Sequence, residues 1–220
     1  MVAATKSKSK SKTKAGSEYD VHPGVAMVVD WIDALKAKTG RSLDEWMKFI
    51  KKEGPASEEA RRVWLKEQHK LGTNSAWWLA ERSVGKGADE DTPEGYLQHA
   101  TSYVKDMYED RAALKPLHDK LIELARALGG DIKVCPCKTI VSIYRENVIA
   151  QIRPSTRTRI DFGLCLTPLV KEGKKLPARL IGTGGFKKKD RITHKIEVTS
   201  AKDIDTELER WLAKAYQLNA

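Results

Sequence analysis

Seven basic residues dominate the chemistry open to this sequence. Arg153, Arg157 and Arg159 stand in a segment of β pattern, and Lys187, Lys188, Lys189 and Arg191 follow a glycine-rich turn. A guanidinium presents a planar fork of donors that matches a phosphate or carboxylate, and an ammonium adds a compact positive charge. If the two segments are neighbours, they form one positive surface able to grip a DNA or RNA backbone without reading its bases. Ser155, Thr156 and Thr158 are small and aromatic residues are scarce there, so base stacking is not expected. The alternative is a solvated sheet face whose arginines are neutralised by acids from elsewhere in the fold.

Other reactive constellations are missing. The GTGG run at 182–185 lacks the Gly-Lys-Ser/Thr ending of a phosphate-binding loop, and neither a nucleophile elbow nor an HExxH motif occurs. His22, His69, His99, His118 and His194 fall on different predicted elements. His194 alternates in phase with Ile196 and Val198, which places it on an inward face where an imidazole needs a partner. Asp161 beside Arg159 reads as a salt-bridge carboxylate, and one strand carboxylate is too few for a metal-dependent nuclease. The Cys135-x-Cys137 spacing is not a zinc half-site, and with Cys165 the odd cysteine count fits a reducing compartment. No catalytic residue, metal or cofactor is expected. An enzyme would come back into view only if the fold brought Asp161, His194 and a cysteine into one pocket.

The elements that must position the basic residues begin with the segment 139–166. Thr139 to Arg145 and Val148 to Arg153 form a predicted hairpin across Glu146 and Asn147. From Arg157 the chain alternates. Thr158, Ile160, Phe162, Leu164 and Leu166 face a core, and Arg157, Arg159, Asp161, Gly163 and Cys165 face away. Further strands are expected at 178–181 and 192–198, joined by a turn through GTGGFKKKDR, after a basic loop at 167–177. Helices before the sheet, with Leu117, Leu121, Ile122 and Leu128 as a stripe, and after it, with Ile204, Leu208, Trp211 and Leu212, cover the inner face.

Upstream, capping signals at Ser42 with Glu45 and at Ser57 delimit short amphipathic helices. Between the third and fourth, Lys70-Leu71-Gly72 through Ala76 partly matches a helix-hairpin-helix, whose backbone N–H groups meet a phosphate, with Lys70 in place of the first glycine. Ordinary capping, Gly72 ending one helix and Asn74 opening the next, is the other reading.

The fold class expected is therefore α+β, a small all-α N-terminal domain followed by a helix–antiparallel sheet–helix domain. Residues 1–18 are a disordered basic tail, 19–83 the helical domain, 84–92 a linker, and 93–220 the α+β domain with about five antiparallel strands. Five lysines in the first sixteen residues carry half of the net charge of +10. Such a tail attracts polyanions in a salt-sensitive, sequence-neutral way, or acts only as a solubilising leader. No stretch approaches the roughly 20 apolar residues of a membrane helix, and the N-terminus lacks a secretory apolar centre, so a cytoplasmic location without a membrane partner is expected.

The stretch TGRSLDEWMKFIKKEGPASEEARRVWLKEQHKLGTNSAWWLAE resembles domain-of-unknown-function family 4287. The stretches LIELARALGGDIKV, KTIVSIYR, QIRPSTRTRIDFGL, ITHKIEVTS and DIDTELERWLAKAYQ resemble domain-of-unknown-function family 5655. This resemblance implies a bacterial two-module protein of uncharacterised function, and no catalytic residue carries over. Members of the first family tend to have histidines and glycines where this chain has Lys70, Thr73 and Asn74. Two classes of function follow from the residues. One is a nonenzymatic nucleic-acid-associated protein using the tail, Lys70 and Gly72, and the basic sheet surface. The other is a binding module in which strand arginines grip a small anion or an acidic protein partner.

Overall fold

The computed structural model describes residues 18–219, so the lysine-rich tail lies outside it apart from its last residue. Four helices open the described chain: α1 (Pro23–Thr39), α2 (Leu43–Glu53), α3 (Glu58–Glu67) and α4 (Thr73–Arg82). Three of the four starts are fixed by a side-chain cap. Ser42 and Glu45 close a capping box on α2, and Ser57 accepts the Ala60 N–H on α3. At α1 the cap is His22, whose Nδ1 accepts the Gly24 N–H at 2.9 Å ahead of Pro23 at the first helical position.

The α3–α4 joint departs from both sequence readings in part. Gly72 does not end α3; it is the N-cap of α4, and Asn74 lies inside that helix rather than capping it. The left-handed residue is Lys70, at φ 55°. The chain thus adopts the strained conformation of a tight hairpin where a glycine would be expected, and the side chain tolerates it.

The second part of the chain runs α5 (Pro93–Tyr108), α6 (Lys115–Arg126), β1 (Lys133–Pro136), β2 (Val141–Tyr144), β3 (Val148–Pro154), β4 (Ile160–Leu164), α7 (Thr167–Lys171), β5 (Ile181–Gly182), β6 (His194–Val198) and α8 (Thr206–Leu218). The fold is α+β. The strands form one six-stranded antiparallel sheet in the order β1-β2-β3-β4-β6-β5. The additional strand is β1, whose Val-Cys-Pro core is too short and too poor in β-branched residues to announce itself. The predicted 178–181 strand shrinks to Ile181–Gly182, and the predicted basic loop holds the helical turn α7. Ser200 and Asp203 close their capping box on a single 3-10 turn, and α8 instead starts from Asp205, whose side chain accepts the Leu208 N–H.

Register divides the sheet cleanly. Val141, Ile152, Phe162 and Ile196 are paired across four strands and fully buried on one face. Helices α6 and α8 cover that face with Leu121, Ala125, Leu208, Leu212 and Ala215. Burying one such side chain contributes about 1.5–3 kcal/mol, so this face fixes the register. The opposite face carries Gln151, Arg153, Asp161, Gly163, Lys195 and Glu197, which alternate with the buried set. Among the described residues no helix is long and apolar enough to cross a membrane.

Two hydrophobic clusters form among the described residues. A small one holds Leu35, Trp46, Ile50, Leu65 and Leu79, and a large one holds the sheet with its helices. Tyr19, ahead of α1, and Val25, in the first turn of α1, are packed into the large cluster. Asp20 ties this lead-in to the sheet edge: its N–H donates to the Val134 carbonyl, and its Oδ2 accepts the Val134 N–H at 2.8 Å.

Candidate functional site on the outer face of the sheet

Four charges lie across the centre of the outer face. Arg153, Asp161 and Glu197 are opposite one another in register, as are Gln151, Gly163 and Lys195 in the next row. Lys195 Nζ stands 2.8 Å from Asp161 Oδ2 and 3.0 Å from Glu197 Oε1. Arg159 reaches the same two acids, with Nε 3.0 Å from Asp161 Oδ1 and Nη1 3.1 Å from Glu197 Oε1. The Arg159–Asp161 contact lacks hydrogen-bond alignment, so its attraction is coulombic. Burial opposes ionisation of Asp161, but the bond from Lys195 and the nearby positive charges outweigh it and hold the carboxyl below its usual range. The same bond raises Lys195. Arg159 is therefore a member of a neutral, partly buried network, and freeing it for a ligand would strand two carboxylates.

Arg153 differs. It is exposed at the end of the row and has no acidic partner among the described residues. Two adjoining clefts share it. The larger, about 570 Å3, lies between α5 and the sheet, with Arg111, Lys138 and Arg153 as cations and Asp106 and Asp161 as acids. Arg111 is fixed there by donating to the Pro154 carbonyl at 2.8 Å and to Asp110 at 2.7 Å. The smaller, about 270 Å3, lies under the turn 183–192, with Arg153, Lys188 and Lys195 facing Asp161 and Asp190. Each cleft thus holds three cations to two acids.

The turn that roofs the smaller cleft is built by glycines. A side chain at Gly163 would place its Cβ 2.6 Å from Ile192 Cγ2, so the bare backbone of β4 lets Ile192 lie on the sheet. At Gly185 a Cβ would sit 2.2 Å from the Ile192 carbonyl oxygen. The turn closes on itself through Thr183 Oγ1, which donates to the Ile192 carbonyl and accepts the Gly185 N–H.

The seven basic residues predicted from sequence are therefore not one surface. Arg153 and Lys188 meet at one cleft. Arg159 is neutralised. Arg157 lies outside β4, in a turn closed by Ser155 and Thr156 N–H groups on the Arg159 carbonyl; its side chain is 80% exposed and 3.6 Å from Asp110. The alternation expected from Arg157 onward begins only at Ile160. Lys187 is exposed, while Lys189 and Arg191 line a separate cleft with Cys165 and Phe186. Lys70 and Gly72 are exposed in the α3–α4 hairpin and line neither sheet-face cleft.

Asp161 and Cys165 line different clefts, and His194, half-buried on the inner side, has its Nδ1 3.1 Å from Thr193 Oγ1. Among the described residues no group of three or more His, Cys, Asp or Glu is placed to hold a metal ion. Sequence reasoning missed Gln151, Lys138, Arg111 and Asp106 as cleft residues. Gln151 was within reach, since it alternates with Ile152 beside Arg153; Lys138 and Arg111 come from connections with no periodic signal, and Asp106 is a polar position of α5 next to Met107.

These features define a class: a two-part α+β protein whose antiparallel sheet buries one face under helices and leaves a charge-lined, cleft-bearing face on the other. The chain belongs to the family described as Domain of unknown function (DUF5655), which matches residues 104–219, and residues 30–81 match Domain of unknown function (DUF4287). No curated protein and no solved structure matches it.

Proposed function

We propose that the protein is a nonenzymatic binder of nucleic-acid backbone, held through the rim of the outer-face clefts. The observation that carries this reading is Arg153, a strand-mounted guanidinium common to both clefts, without an acidic partner among the described residues and beside Lys188. A phosphate lodged between them gains charge-assisted hydrogen bonds, and the exposed Lys187 adds positive charge on the same turn as Lys188. The tail lysines add a nonspecific share. A second reading has one observation in its favour: Arg153, Lys188 and Lys195 converge on a cleft of about 270 Å3, a size suited to a single small anion.

Fluorescence anisotropy with duplex DNA, single-stranded DNA and RNA over a salt series tests the proposal. Replacing Arg153 and Lys188 by alanine is expected to lower affinity about tenfold or more and to flatten the salt slope by about two. Arg159→Ala is expected to lower stability with the slope unchanged. Substituting glutamine for Lys6, Lys8, Lys10, Lys12 and Lys14 isolates the tail's share. Equal affinity and slope in the Arg153/Lys188 variant would overturn the nucleic-acid reading; saturable binding of inorganic phosphate lost in that variant, without nucleic-acid binding, would put the small anion in its place.

A further inference from the structure

A different cleft, remote in sequence from Arg153, lies between α8 and the segment that follows α7. Its floor is apolar. Leu169 is buried in the large cluster, Leu176 packs against that cluster, and Trp211 stands next to the inward-facing Leu212 of α8. Its rim is cationic. Lys174, Lys175, Arg210 and Lys214 all line it, and no acid does among the described residues. Lys174 leans 2.8 Å from Glu172 and Arg210 reaches Glu207 only at 3.9 Å; Lys175 and Lys214 have no acid within ion-pairing distance among the described residues. The imbalance is larger than in either sheet-face cleft. Trp211 also buries its indole N–H without an acceptor among the described residues.

We propose that this cleft binds a small amphiphilic monoanion, a medium-chain acyl carboxylate, with its chain on Leu169, Leu176 and Trp211 and its carboxylate against Lys175 and Lys214. The cleft's volume, about 540 Å3, is that of a small-molecule site. An apolar floor beneath unpaired cations matches an apolar body carrying a single acid. A nucleic-acid strand fits less well, because the Arg210 guanidinium lies 5.8 Å over the Trp211 ring and occupies the face on which a base would stack. A concave cleft also suits a free molecule better than a planar bilayer.

Calorimetric titration of the full chain with decanoate below its micellar concentration tests the assignment, with decanol, acetate and anionic phosphatidylglycerol vesicles as comparators. Saturable one-to-one binding is expected, about tenfold tighter for decanoate than for decanol or acetate. The Trp211 indole resonance should shift on titration. The double variant Lys175→Glu/Lys214→Glu, altered only at exposed positions, is expected to bind at least about fivefold more weakly. Arg153→Ala should leave decanoate binding unchanged, which separates this site from the outer-face clefts. Undiminished binding in the double variant, equal affinity for decanol, absence of saturable binding, or binding to vesicles alone would each overturn the proposal.

Discussion

Arg159 and His118 show what residue identity leaves open. Arg159 and Arg153 read alike in the sequence, yet Asp161, Lys195 and Glu197 surround the first and leave the second. The acids that neutralise Arg159 include one from a strand more than thirty residues downstream, so only register across β4 and β6 decides which arginine stays available. In the sequence His118 is one of five scattered histidines. It is fully buried in α6, with Nδ1 2.9 Å from the Tyr108 hydroxyl and Nε2 without a partner among the described residues. Burial lowers its pKa to about 4, and the charge of Lys115 adds to the effect. The sign follows: as pH falls below the ordinary histidine value, the unfolded chain takes up a proton that the folded chain refuses. Stability contributed by the neutral imidazole is complete above about pH 6.5 and is lost at about 1.4 kcal/mol per pH unit down to about pH 4. Urea unfolding across that range should show one fewer proton taken up on unfolding in His118→Gln than in the wild type. The same pH slope in both would assign the acid sensitivity to other groups.

The elements were legible where a period or a cap was strong and illegible where tertiary pairing created them. Helices α2 and α3, strands β3 and β4, and the turn across Glu146 and Asn147 follow from a capping box on α2, the Ser57 cap on α3, alternation and turn residues present in the sequence. Strand β1 exists because the lead-in at Asp20 on one side and β2 on the other supply its hydrogen bonds. The turn 183–192 was foreseen as a turn, but not as the roof of a cleft, since that role depends on Gly163 two strands away. Its geometry carries a prediction. Gly184 at φ 74° and Lys189 at φ 58° take the left-handed conformations that fold the segment, while Gly185 admits no Cβ beside the Ile192 carbonyl. Gly185→Ala should therefore displace the turn and withdraw Lys188 from Arg153, at a cost of about 1–3 kcal/mol in stability. On the nucleic-acid reading, affinity should fall about as far as in Lys188→Ala, with the β6 amides still protected in hydrogen exchange. Unchanged affinity would show that Lys188 contributes through its charge alone, wherever the turn lies.

At the scale of the whole molecule, α1 joins what the sequence divides. Val25 at its start belongs to the large cluster and Leu35 near its end to the small one, while Arg82 at the end of α4 pairs with Asp91 just before α5. His22 reinforces the link. Because its Nδ1 accepts the Gly24 N–H, its Nε2 carries the proton and donates to the Tyr144 hydroxyl at 3.0 Å, so one imidazole both caps α1 and ties it to β2. Composition placed a boundary in the Gly- and acid-rich stretch at 84–92, but it could not reveal a helix shared by two cores, because the apolar period of α1 reads the same whichever cluster receives it. A helix continuous through both clusters couples their unfolding, since losing either core exposes one end of it. Five of the six tryptophans precede residue 80, so tryptophan emission reports mainly on the small cluster and hydrogen exchange at Ile152 and Phe162 on the sheet. The two probes should give coincident urea transitions. Leu35→Ala, which opens a cavity in the small cluster at a cost of about 2–5 kcal/mol, should move both midpoints together. A sheet transition that stays in place while the tryptophan transition shifts would mean that α1 breaks between Val25 and Leu35, and that the two modules fold as separate units.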